Sequence, residues 1–334
     1  MAEQSNSSRT GVLLHGTTRP EEIAGLCALV ETLGFREVWL AEDYFFLGGF
    51  SSAAMALQAS RNLRVGLGVV ASVARHPAVT AMEISTLARA YPGRFMPGIG
   101  HGAPAWTRQM GLFPKSILAV LRETMTCIRR LLAGETITQH DGHFHFDRIA
   151  LHHPVENLKL YAGVSGAKSL ELAGEIADAT ILGALSSPEY IRSAREHIRR
   201  GVEKSARTGE HELPTLVLYA VDRDRKAARA AARSSLAFYL GMAGPTALTE
   251  PAGINDELAA MLERGGAELI EAEMPESWID QLAVAGDPEE CAMRARALLE
   301  AGASSLVFAP IRTDQTTSQL TMTAHEVLPL LHRP

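Results

Sequence analysis

The chain has 334 residues, enough for one large domain or two average ones; 46% are hydrophobic and 21% charged. A net charge of −6, with no long Lys/Arg block, speaks against a general nucleic-acid binder. Three scattered cysteines argue against a disulfide framework, and no apolar run is long enough to span a bilayer.

The polar start, residues 1–10, is expected to be disordered and lacks the apolar core of a signal peptide, so a cytoplasmic location is expected. Short β-rich segments then alternate with longer helical ones. Strands are expected at 11–15, 37–42, 63–70 and 94–100. Between them lie helices at 20–35, 51–60 and 77–91, with Pro20 and Pro77 near their first turns and Gly34 closing the first. A long helix at 115–134 stops at Gly134. The pattern then breaks: residues alternate through 134–158, and Asp141-Gly142 signals a two-residue hairpin turn. Strands follow at 158–164, 178–184, 214–221 and 304–310, separated by helices at 167–177, 187–206, 224–240 and 287–302. Residues 242–284 are less regular, and a helix at 321–332 closes the chain.

Eight strands separated by helices imply parallel βαβ units and predict a (β/α)8 TIM barrel with insertions at 134–158 and 242–284, in a single domain from residue 11. An open doubly wound sheet is the competing arrangement. In a barrel the chemistry sits where strands end. That rule selects His15 and Gly16, then Glu42, Asp43 and Tyr44, then Ala71, Ser72 and Val73, the Gly98–Gly102 turn, the turn at 164–169, the turn at 183–187, and Arg312.

Gly98, Gly100 and Gly102 are spaced two apart, which is not the dinucleotide fingerprint: the third glycine comes one residue early, and Pro104 follows where a helix should open. Ser165, Gly166, Ala167 and Lys168 have a direct physical reading, since small residues opening a helix offer free N–H groups to an anion such as a phosphate. A plain N-cap by Ser165 or Ser169 is the alternative. Asp43 is a candidate acid, or it caps the following turn. His15 and His101 are further proton-donor candidates, because imidazole titrates near neutral pH; each could equally hydrogen-bond a neighbouring loop.

Three ordered segments, 33–43, 66–102 and 160–183, make the chain resemble the bacterial-luciferase-like superfamily, and within it the branch that uses the deazaflavin coenzyme F420. The resemblance implies a deazaflavin held at the barrel mouth, with the Gly98, Gly100 and Gly102 turn beside its ring. It implies a non-prolyl cis peptide after the third strand, matched here to Ser72 and Val73, with Ala71 adjoining. Val164 through Lys168 would hold the coenzyme phosphate, with Gly183 and Ala184 lining the same pocket. Some deazaflavin-dependent dehydrogenases carry a histidine after the aspartate and a glutamate after the Gly-rich turn; here Tyr44 stands at the first place and 102–106 offers no acid. Sugar-phosphate or simple alcohol oxidation is therefore in doubt, and C=C or C=N reduction or another dehydrogenation stays open.

The expected function is F420-dependent hydride transfer with a small organic substrate. The alternatives are an FMN-dependent monooxygenase supplied by a partner reductase, a non-catalytic flavin-binding protein, and a metal-dependent hydrolase. A homodimer is the family's expectation. Phe238, Tyr239, Leu240, Met242 and Trp278 give the insertions an apolar content that suits an organic substrate. His140, His143 and His145 could suggest zinc, but alternation puts His143 and His145 on an exposed hairpin face opposite Phe144 and Phe146. No metal is expected.

Overall fold

All eight expected strands form in the computed structural model, which describes residues 9–205 and 207–332. The strands are β1 (Arg9–Leu14), β2 (Glu37–Leu40), β3 (Arg64–Leu67), β4 (Val70–Ala71), β5 (Phe95–Met96), β6 (Gly98–Gly100), β7 (Ile137–Gln139), β8 (Phe146–Ile149), β9 (Tyr161–Gly163), β10 (Ala179–Ile181), β11 (Pro214–Val221), β12 (Val284–Gly286) and β13 (Ser305–Pro310). Residues 1–8 of the segment expected to be disordered lie outside the described residues, but Arg9 and Thr10 already belong to β1, paired with Ser305 and Leu306.

Two parallel sheets, ordered β12-β11-β13-β1-β2-β3-β5 and β10-β9-β6-β4, make the wall. They are continuous because β3 runs on into β4 and β5 into β6, and parallel bridges Ala179↔Glu212 and Leu182↔Thr215 join β10 to β11. The ring closes, which decides for the barrel against the open sheet. Crossover helices start where their caps place them. Ser116, Ser187, Asp224 and Asp287 each accept a first-turn N–H, and Pro77, Pro188 and Pro288 open their helices.

The barrel is filled from below. At its floor Arg64 donates to Glu37 (3.2 Å) and to the Tyr161 hydroxyl (2.8 Å), and Tyr161 and Lys159 donate to Glu212 (2.7 and 2.6 Å). Above lie the buried side chains of Trp39, Met96, Ile181 and Val307, and above these the partly exposed Leu13, Val69 and Leu216. The N-terminal end is thus plugged and the C-terminal end ends in an apolar platform.

Three expectations change. The Asp141-Gly142 turn is not a two-residue turn: Gln139 pairs with Phe146, leaving a six-residue loop, because the Glu123 carboxylate accepts the His143 and Phe144 N–H groups (2.9 Å each) and holds it open. His143 and His145 are exposed and Phe146 is buried, as the alternation implied. The stretch 242–284 is largely helical, Asn255–Glu273 and Glu276–Leu282, and β12 adds a strand beside β11. Leu240 and Trp278 are buried in the core of this insertion, so they pack it and line no pocket.

Candidate functional site

Val69 belongs to the apolar platform at the mouth. The third strand breaks after Leu67, and the peptide Gly68–Val69 is cis, as is Tyr44–Phe45. The expected position, Ser72–Val73, is therefore corrected by four residues. Ala71, Ser72 and Val73 are buried in the wall: Ser72 donates its N–H to Gly100 (2.8 Å), and its carbonyl accepts from Thr124. The apolar run 65–71 hid the break, because hydrophobicity alone does not report where a strand changes sheet.

The Val69 side chain lies between glycines of two neighbouring strands. A Cβ on Gly163 would come within 2.3 Å of Val69 Cγ1, and one on Gly100 within 2.7 Å of Cγ2. Gly98 and Gly100 are strand residues in β6; a Cβ at Gly98 would strike the Leu67 carbonyl oxygen at 1.9 Å. Their absent side chains make room for other parts of the protein. Gly102 alone of the three needs its positive φ, +73°. A helix does open at Pro104, where the proline's missing N–H costs nothing at the first helical position.

On one side of this platform, the helix Ala167–Ile176 begins at Gly166 with no side-chain cap, and no heavy atom lies within 4 Å of a Cβ placed there. Ser165 and Ser169 do not cap it. Ser165 gives its carbonyl to the Tyr190 hydroxyl (2.7 Å), and the Ser169 hydroxyl lies 3.1 Å from His101 Nε2. The first-turn N–H groups are left facing open space, with Ala167 and Lys168 exposed and Val164 buried behind. Gly183 and Ala184 are partly exposed; Gly183 O accepts from the Ser186 hydroxyl (2.6 Å).

On the other side stand His15 and Asp43. His15 Nε2 donates to the Pro310 carbonyl (3.0 Å), which leaves Nδ1 as the ring's acceptor. Burial lowers the His15 pKa, against the raising pull of the Pro310 carbonyl and the Asp43 charge. Burial raises the Asp43 pKa, which His15 partly offsets. Asp43 Oδ2 packs 3.1 Å from where a Cβ on Gly16 would lie, a tighter contact than side chains ordinarily make. Tyr239, from the helix Arg225–Ala243, joins this group: burial raises its pKa, and so does the Asp43 charge. The structure thus brings His15 and Asp43 together and leaves His101 on the Ser169 side.

The loop carrying Asp43 is anchored by Glu42. Its buried carboxylate takes two bonds from Arg75 (2.6 and 2.7 Å), the Gly49 N–H (2.8 Å) and the Tyr44 hydroxyl (3.2 Å). Tyr44 in turn meets Trp106 edge-on at 6.3 Å. Sequence reasoning missed Val69, Gly163, the place of Tyr239 beside Asp43 and the Glu42–Arg75 pair. The alternating Gly66 and Gly68 within an apolar run were the available signal for the first of these. Among the described residues no group of three or more His, Cys, Asp or Glu is placed to hold a metal.

The family model for luciferase-like monooxygenases matches residues 3–305. The chain is 29% identical to a 5,10-methylenetetrahydromethanopterin reductase of Methanolobus tindarius, over 86% of this chain and 89% of that one. It is 30% identical to an F420-dependent glucose-6-phosphate dehydrogenase of Nakamurella multipartita, over 93% of each. The solved structure of the coenzyme F420-dependent tetrahydromethanopterin reductase from Methanopyrus kandleri superposes with a TM-score of 0.85 at 24% identity, over 97% of this chain and 99% of that one.

Proposed function

Because this chain belongs to the luciferase-like monooxygenase family, we propose that it is a coenzyme F420-dependent oxidoreductase that moves a hydride to or from a small organic substrate. One observation carries the reading: an apolar platform and an uncapped helix N-terminus share the barrel mouth, in a chain nearly coextensive with F420-dependent relatives. A planar ring fits on Leu13, Val69 and Leu216. A phosphate fits the N–H groups of Ala167 and Lys168 with the Lys168 ammonium.

When bound, the deazaflavin ring supplies or accepts the hydride. Reduction of a C=X bond also takes up one proton, and Asp43 is our candidate to hold it: its raised pKa favours the protonated carboxyl. His15, neutral and bonded through Nε2, offers Nδ1 as an acceptor that orients the acid or the substrate. We assign His101 to the phosphate side rather than to proton transfer, on its contact with Ser169. The trio Gly98, Gly100 and Gly102 acts by admitting Val69 and turning the chain.

Side-by-side fluorescence titration with F420 and FMN tests the proposal. Tight F420 binding with weak FMN binding is expected; the reverse overturns it in favour of an oxygen-using FMN monooxygenase. We also read the chain as one barrel domain that pairs as a homodimer, which the exposed Met55, Val79 and Met82 on the helices Gly49–Ala59 and Pro77–Ala90 support. Sedimentation at micromolar concentration checks this. No helix among the described residues is long and apolar enough to cross a membrane.

A further inference from the structure

The mouth has a rim with a distinct chemistry. Phe45 and Phe46, on the loop after β2, are 65% and 59% exposed; Phe238 and Met242, on the helix after β11, are 60% and 73% exposed. Trp106, after β6, closes the same side through its edge contact with Tyr44. Phe46 leans onto Gly16, its Cβ 3.5 Å from a Cβ placed there, which sets it beside Asp43 and His15. Isolated apolar residues on a surface need no explanation, but a set carried by separate loops around one platform does.

Charge points the same way. The loops at 41–48 and 182–187 contain no Lys or Arg. Arg75 is held by Glu42, Arg312 by Asp222 (2.7 Å) and Arg19 by Glu22 (2.9 Å), while Arg108 lies over the Phe113 ring at 4.1 Å. Lys168 belongs to the coenzyme-phosphate side. A cleft of about 710 Å³ runs outward from His15 between the helix Ile23–Thr32 and the segment 313–317, lined by Thr17, Thr18, Thr313 and Thr317 with Glu22 and Asp314. Its fixed charges are negative, and its hydroxyls can satisfy neutral polar groups.

We propose that the substrate is an uncharged, largely apolar ring compound, seated within the Phe45, Phe46, Trp106, Phe238 and Met242 rim, with any polar neutral substituent directed into the threonine-lined cleft beside His15. The proposal rests on the deazaflavin reading, and it sets this chain apart from a relative named for a sugar phosphate. A phosphate or carboxylate at this mouth would meet Asp314 and Asp43, while Arg19, Arg75 and Arg312 already hold carboxylates of the chain.

The test is calorimetric titration of the F420-loaded protein with one skeleton in three charge states: 2-acetylnaphthalene, 2-naphthoate and 2-naphthyl phosphate. The ketone is expected to bind at least tenfold tighter than either anion, and Asp314→Lys to narrow the gap at least threefold. An anion binding as tightly as the ketone, or no ketone binding up to its solubility limit, overturns the proposal. A gap unmoved by Asp314→Lys removes the cleft from it. Coenzyme affinity is measured first on the same preparation. Failure there rejects the deazaflavin reading, and the same series on the coenzyme-free protein then judges the rim alone. Phe238→Ser and Met242→Ser are expected to weaken ketone binding without changing the sedimentation coefficient. A changed oligomeric state with unchanged ketone affinity would assign the rim to a second copy of the chain.

Discussion

Gly163→Ala tests whether Val69 is wedged in place. The new Cβ would lie 2.3 Å from Val69 Cγ1, where ordinary carbon contacts are near 3.8 Å. Val69 cannot rotate clear, because its Cγ2 already fills the space against Gly100 and β-branched side chains have few open rotamers. Overpacking of this kind costs about 1–3 kcal/mol. At roughly 2.1 cal/mol/K per residue, a chain of 334 residues has an unfolding entropy of about 0.7 kcal/mol/K, so 2 kcal/mol lowers Tm by about 3 °C. Val69→Ala alone loses two partly buried methyl groups, about 1 kcal/mol. In the double variant the clash is gone. Thermal and urea denaturation of all four proteins should give a total at least 1 kcal/mol smaller than the sum of the singles. Additive losses would refute the wedge. Coenzyme titration adds a second readout: Gly163→Ala should weaken F420 binding, and Val69→Ala should partly restore it in the double variant.

Asp43→Asn should cut kcat roughly 100-fold or more with F420 affinity changed little, read by steady-state kinetics and titration. The same variant should be more stable than the parent near pH 7. A carboxyl whose folded pKa is raised loses stability as pH climbs from its ordinary range through the raised value, so the advantage should vanish below about pH 3.8. Glu212 is the opposite case. Burial pushes its pKa up, but the bonds from Lys159 and Tyr161 and the Arg64 charge win and hold it at about 2. Its contribution, about 2 kcal/mol after solvent screening, should be present above pH 4.5 and lost as pH falls towards 2; a flattened acid limb in Glu212→Gln denaturation curves checks this. Arg75→Ala leaves the buried Glu42 carboxylate without its cation and should cost about 2–4 kcal/mol, seen as a Tm lower by several degrees. Lys168→Ala should raise the F420 Kd several-fold at low salt and less at 0.5 M salt.

Parts of the candidate site were visible one residue at a time. Asp43 and His15 stood out because barrel chemistry gathers at strand ends, and the structure does bring them together. The turn at 164–168 stood out because small residues opening a helix leave N–H groups free, and the helix is indeed uncapped. For His101 the sequence left a proton donor or a loop contact open, because a strand end says which rim a side chain reaches but not which neighbour it meets; the structure sets it against Ser169. The three glycines were read as a tight turn beside a ring; Gly98 and Gly100 lie in a strand and leave room for Leu67 and Val69. A glycine's purpose lies in what approaches it, and that atom comes from another strand.

By itself the sequence determined the alternation of strands and helices, the prolines that open helices, and hence parallel βαβ units, because periodicity and capping are local properties of consecutive residues; closure of the ring took the tertiary structure. Only the tertiary structure decided where the third strand breaks, that Val69 rather than Ser72–Val73 faces the mouth, that Tyr239 joins Asp43, and that Glu42 is clamped by Arg75. Each of these depends on contacts between segments tens to hundreds of residues apart, and a single sequence carries no term for distance across the fold.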